Sequence, residues 1–195
     1  MTSKERFISI FNKKITRKGA DDLLRWLETT DFFTAPASTK YHGAHNGGLC
    51  EHSLNVYRLF HAEMEQMTKL FSGETLTPEI EESMAICALL HDVCKVNFYK
   101  TSTKNQKNEK GEWEKVPFYT VDDLFPFGHG EKSVFLIERF LRLKEGEAIA
   151  IRWHMGGFDD AVKGGSYSVG KAFEKFKPAL LLHIADMKAT YLLEN

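Results

Sequence analysis

The chain has 195 residues, within the size of one ordinary domain and long enough to bury a sizeable core. Hydrophobic residues make up 43% and charged residues 27%, with a formal net charge of -1, so no global basic field favours non-specific nucleic-acid binding. No apolar run approaches the roughly 20 residues needed to cross a bilayer. The start, MTSKERFISIFNKK, lacks an apolar signal core, and a cytoplasmic location without membrane association is expected.

Residues 4–13 and 20–29 read as two short helices, the second with Leu23, Leu24 and Leu27 on one face. DFFTAPASTKYHGAHNGG, with one proline and three glycines, reads as a structured loop. From Gly48 the spacing of Leu49, His52, Val56, Leu59, Phe60, Met67 and Leu70 predicts a long helix, with His52 on its apolar face. Ser72-Gly73 breaks it. Thr77-Pro78 then offers an N-cap and a proline at the first helical position. The following helix is apolar on nearly all sides from Ala85 to Leu90, as a buried central helix is.

Residues 98–123 change character. Two extended runs flank the turn Asn108-Glu109-Lys110-Gly111, which predicts a β-hairpin inserted into a helical chain. Helices are expected again at Glu131–Leu143 and Gly146–Trp153. After a glycine-rich stretch come short helices, the last from about Pro178 to Leu193. One domain over residues 1–195 is expected, with 1–35 as a helical extension and 98–123 as a hairpin insertion. Cys50, Cys87 and Cys94 are odd in number and show no CxxC spacing, so they read as reduced thiols.

Imidazole and carboxylate are the ligands that divalent transition metals in hydrolases require. His52 sits on an apolar helix face, where a lone histidine is more often a satisfied core residue. His91-Asp92 directly follows the apolar run ICALL, and Asp is rarely buried without a partner or a metal. An Asp92 that merely opens a solvent-facing turn is the equal alternative. Asp186 follows Ala179 and Leu182 at helical spacing, so its carboxylate faces the core. His129 and His154 complete the set. His129 lies between two glycines and His154 precedes Met155-Gly156-Gly157, glycines that permit close backbone approach, and each alone would pass as an ordinary loop histidine.

The order His52, His91-Asp92, Asp186 resembles the signature of the HD-domain superfamily. GGLCEHSLNVYRL, ALLHDVCKV and LLLHIADMKATYL fit in order over roughly Pro36 to Leu193. The resemblance implies an all-α HD-domain helical bundle, here with the inserted hairpin. It implies a divalent metal on His52, His91, Asp92 and Asp186. Histidines between HD and the last Asp, as at His129 and His154, resemble the binuclear subgroup, in which the HD aspartate bridges two metals. That implies two ions per chain, iron or manganese first, then nickel, cobalt, zinc or magnesium. The family's lysine after HD falls at Lys95. The segment APASTKYHGAHNGGLCEHS is similar to HD domains of 3′–5′ exoribonucleases and conjugative relaxases, but His42 and His45 are separated where those have a histidine pair.

The activity implied is a phosphohydrolase cleaving a phosphoester or phosphoanhydride of a nucleotide-like substrate through a metal-activated water, with Asp92 and Lys95 as catalytic residues. Lys95, Lys132 and Arg152 are candidate phosphate holders, against a reading as surface charges. A nuclease is the first alternative. The hairpin interleaves Lys100, Lys104, Lys107, Lys110 and Lys115 with Tyr99, Trp113, Phe118 and Tyr119, a composition that can grip single-stranded nucleic acid. Against this stands a solvated hairpin with one aromatic face packed on the bundle, which is slightly preferred. A non-catalytic sensor on the same scaffold is the second alternative. Substrate, metal and oligomeric state stay open.

Overall fold

The computed structural model describes residues 1–194. Two helices open the chain, α1 (Ser3–Lys14) and α2 (Ala20–Thr29). Thr2 caps α1 through a reciprocal box with Glu5, which satisfies two otherwise orphaned backbone donors. Phe7, Phe11, Leu23 and Leu27 are fully buried and belong to the same continuous core as the later helices. The expected extension is therefore part of the core, not an appendage to it.

A loop leads to α3 (Gly48–Ser72), which ends on Gly73 in the left-handed region. Its first half is buried, but Leu70 and Phe71 are exposed, so the apolar spacing runs past the end of the bundle. Thr77 caps α4 (Pro78–Leu90), whose residues Met84 to Leu90 are all buried. A helix buried on every side has almost no polar face, and that is why its sequence shows hydrophobicity without amphipathic period. A single 3-10 turn, Val93–Lys95, follows.

The hairpin forms as expected. Strands β1 (Tyr99–Lys107) and β2 (Trp113–Val121) pair antiparallel, Tyr99 opposite Val121 and Lys107 opposite Trp113. The Asn108 side chain accepts from the backbone N–H groups of Lys110 and Glu112 and closes the turn. The preferred packing of its aromatic face is not seen. Most of both strands is exposed, Trp113 at 70%. The base is tied down where the Tyr99 hydroxyl donates to the Ala37 carbonyl at 3.0 Å.

The chain continues through α5 (His129–Glu138), α6 (Glu145–Trp153), the short α7 (Asp160–Lys163), α8 (Ser168–Lys175) and α9 (Lys177–Lys188), which runs on into a π turn over Ala189–Leu193. Helix α5 starts earlier and ends earlier than the spacing predicts. The Glu138 carboxylate accepts from the Leu143 N–H at 2.7 Å and folds the chain back before the pattern ends. Helix α9 lies against α3 and α6, and α4 against α3 and α6, so four helices converge around one interior. Among the described residues no helix is long and apolar enough to cross a membrane.

Candidate metal centre

Each helix end contributes a donor to that interior. His52 comes from the first turns of α3, His91 caps α4, Asp92 follows it, His129 begins α5, His154 caps α6 and Asp186 lies in α9. His52, His91, Asp92 and His154 are at most 2% exposed. The placement of His129 depends on a glycine. A Cβ on Gly130 would fall 2.2 Å from the Arg152 carbonyl, so only glycine lets α5 approach α6 closely enough to bring His129 beside His154.

The six donors meet. His52 Nε2 lies 3.2 Å from His91 Nε2, 3.1 Å from Asp186 Oδ1 and 3.6 Å from Asp92 Oδ2. On the other side, Asp92 Oδ1 accepts from His129 Nε2 at 2.8 Å and lies 3.5 Å from His154 Nε2. One carboxylate thus faces two groups of imidazoles, one through each oxygen.

Local backbone geometry orients two of the rings. The Nδ1 of His91 donates to the Ala88 carbonyl at 2.8 Å, and the Nδ1 of His154 to the Ile151 carbonyl at 2.7 Å. A neutral ring that donates from Nδ1 carries a lone pair on Nε2. The His154 Nε2 is buried and has no hydrogen-bond partner. A buried polar atom without a partner costs roughly 1–3 kcal/mol, so it calls for an occupant.

Charge in the cluster is unevenly held. Burial favours neutral carboxyls, yet Lys95 and the neighbouring histidines outweigh it and keep Asp92 well below the usual carboxylate range. Burial likewise opposes ionisation of Asp186, and His52 reverses that to hold it low. His52 is desolvated, but Asp186 and Glu194 raise it to about 9. His129 is desolvated too, and Cys94 and Asp92 raise it to about 10. His91, by contrast, is pushed down to about 3, chiefly by burial. Protons on His52 and His129 thus stand where a cation's charge would balance the two carboxylates. Nitrogen and oxygen donors with an orphaned imidazole nitrogen fit a divalent transition metal. Four overlapping donor groups lie within ion-binding distance of one another, among them His52-His91-Asp186 and His91-Asp92-His154.

Lys95 joins the centre, its Nζ 2.6 Å from Asp92 Oδ2. The other two candidate phosphate holders are engaged elsewhere. Lys132 is buried, pairs with Asp123 at 2.6 Å and lies over the rings of Phe98 and Phe125. Arg152 pairs with Asp159 and Glu131 and stacks on Trp153.

Four further residues belong here. Glu194 Oε2 accepts from His52 Nδ1 at 3.0 Å and so orients that ring. His42, from the loop before α3, sets its ring 4.9 Å from that of His52 at a tilt of 47° and has a buried Nε2 without a partner. Cys94 Sγ lies 3.6 Å from both nitrogens of His129. His183 Nδ1 donates to the His154 carbonyl at 2.6 Å. Position after HD could have flagged Cys94, and His42 lay in the segment compared with exoribonucleases. Nothing in the local sequence marks Glu194.

Beside the centre opens a cavity of about 540 Å³ that reaches Asp92, Lys95, His129 and Asp186. Its rim carries Tyr41, Tyr99, Val121, Phe158 and Lys163. Searches for a matching protein family, characterised protein or solved structure found none, so the arrangement of these residues carries the functional argument.

Proposed function

We propose that this chain is a metal-dependent phosphohydrolase that cleaves a phosphoester or phosphoanhydride of a nucleotide-like substrate. The observation that carries the reading is the convergence of His52, His91, Asp92, His129, His154 and Asp186 on one interior, with the His154 Nε2 unsatisfied. These six residues would hold the metal, with Asp92 offering one oxygen to each group of imidazoles. A divalent metal there supplies Lewis acidity and lowers the pKa of a water toward about 7.

The chain's own groups supply the rest. Lys95 is partly buried, and desolvation works against its charge, but Asp92 and Tyr99 hold it above its ordinary value, so it stays cationic at neutral pH. It borders the cavity next to Asp92 and can neutralise a phosphoryl oxygen as charge develops. The Glu194 carboxylate fixes the His52 ring, and the Ala88 and Ile151 carbonyls fix His91 and His154. Met155 and Phe158 add apolar surface to the cavity lining. A cavity of about 540 Å³ lies within the roughly 300–1,000 Å³ span of small-molecule sites.

The test is metal content together with turnover. Purified protein is expected to bind at least one transition metal per chain and to hydrolyse members of a panel of nucleotides, dinucleoside polyphosphates and phosphodiesters when manganese or iron is supplied. Substoichiometric metal with no activity on supplementation, or turnover unaltered by Asp92→Ala, would overturn the assignment.

A further inference from the structure

The hairpin's register divides its side chains between two faces. Residues paired across the strands share a face, and alternate residues face opposite ways. Tyr99 and Val121 pair at the base and both line the cavity beside the metal centre. The face that they begin continues outward through Tyr119, opposite Thr101, then Lys115, opposite Asn105, to Lys107 and Trp113 at the tip. The polar side chains in between are threonine and asparagine, and this face has no carboxylate. Glu114, the one acid within the strands, lies on the other face opposite Gln106.

Such a ribbon has no reason to stand alone. A two-stranded hairpin exposed on both sides is marginal in water, and this one displays Trp113 with the Lys107 ammonium 5.3 Å from its ring centre. At about 3.3 Å per residue, each nine-residue strand spans roughly 26 Å from cavity rim to tip. Aromatic rings spaced along a cationic, acid-free track offer what unpaired bases and a phosphate backbone need: flat faces to stack on and dispersed positive charge. A paired duplex keeps its bases stacked inside and cannot use those rings.

The geometry points to single-stranded nucleic acid as the substrate class, lying along the Tyr99–Tyr119–Trp113 face of the hairpin with one phosphodiester delivered to the cavity. This rests on the phosphohydrolase reading of the metal centre, and it makes the ribbon the element that selects polymers over free nucleotides.

Fluorescence anisotropy with labelled single-stranded oligonucleotides of about ten nucleotides, DNA and RNA in separate arms, tests the track directly. Turnover of bis(4-nitrophenyl) phosphate with manganese reads the metal centre independently of it. The variant Lys107→Ala/Lys115→Ala/Trp113→Ala changes only exposed tip residues. It is expected to weaken oligonucleotide binding at least about tenfold. Its log–log salt slope should fall by about 1.4, at ~0.7 for each lost phosphate contact. Hydrolysis of the small diester is expected to stay unchanged. The charge reversal Lys107→Glu/Lys115→Glu, which keeps the tryptophan, should weaken binding further still. Oligonucleotide affinity unaltered in both variants, no binding by the native protein, or equal affinity for a duplex would each overturn the proposal. Failure of the small diester to react would instead strike the metal-centre reading, while the anisotropy result would still decide the ribbon.

Discussion

The metal centre and the hairpin solve opposite problems. The centre takes ionised carboxylates and imidazoles out of water, which is costly for each group, and offsets that by facing them toward one another. The hairpin leaves Trp113 and Val121 in water with no such compensation. Both arrangements run against the ordinary sorting of residues between interior and surface. In the first case the misplaced groups are polar and point to an ion. In the second they are apolar and point to a large flat ligand. Both regions hold an unfavourable placement that folding alone does not explain.

The comparison breaks most readily at Asp92. Asp92→Asn removes the charge that Lys95 and His129 both face, and loss of several kcal/mol of electrostatic stabilisation is expected to lower phosphodiester turnover about a thousandfold. Steady-state kinetics at saturating manganese would check it.

A buried ion pair far from the cavity shows what a purely structural charge looks like. Arg17 reaches Glu147 at 2.7 Å and 2.9 Å and Glu82 at 3.2 Å, bridging the α1–α2 turn to α4 and α6. Arg17→Met strands the buried Glu147 and should cost roughly 3 kcal/mol, read by urea unfolding, with no change in metal content. Its pH dependence has a defined sign. Burial raises the Glu147 and Glu82 carboxyls, but hydrogen bonds and Arg17 outweigh it and place both below the ordinary value of 4.5. The stability they add is present above pH 4.5 and is lost as pH falls through the lower folded values. The gap between native and variant proteins should therefore close in acid.

Glu194→Gln keeps the size of the side chain that holds His52 Nδ1 but removes its charge. Metal affinity is expected to fall about 10–100-fold, as measured by competition with a chelator. The smallest effect belongs to the hairpin. Trp113→Ala should change unfolding free energy by no more than about 0.5 kcal/mol, because the ring is 70% exposed. A larger loss in thermal unfolding would mean that the ribbon packs on something and would undo the contrast.

Much of this was readable from the residues because the signals were local. Apolar spacing marked α2 and α3, the Thr77-Pro78 cap and an all-apolar run marked α4, the Asn108–Gly111 turn marked the hairpin, and HD after that run marked the centre. What escaped depended on contacts distant in sequence. Glu194 meets His52 only because α9 packs on α3. The end of α5 is set by the Glu138 carboxylate, and the apolar periodicity continued beyond it. Lys132 and Arg152 sit beside ligand residues in sequence, yet Asp123 and Asp159, which hold them, are several residues away. The aromatic content of the strands suggested packing on the bundle, since composition does not reveal which surface a hairpin meets.

The donors of the centre are drawn from residues 52 to 186 and come from five helices or helix ends, with His91 and Asp92 sharing the end of α4. A chain emerging from the ribosome therefore lacks the full set until α9 has been synthesised and docked. Partial sets such as His91-Asp92 offer weaker coordination in the meantime. An ion held by the full set would therefore be captured late in biogenesis, after the fold has closed around its donors.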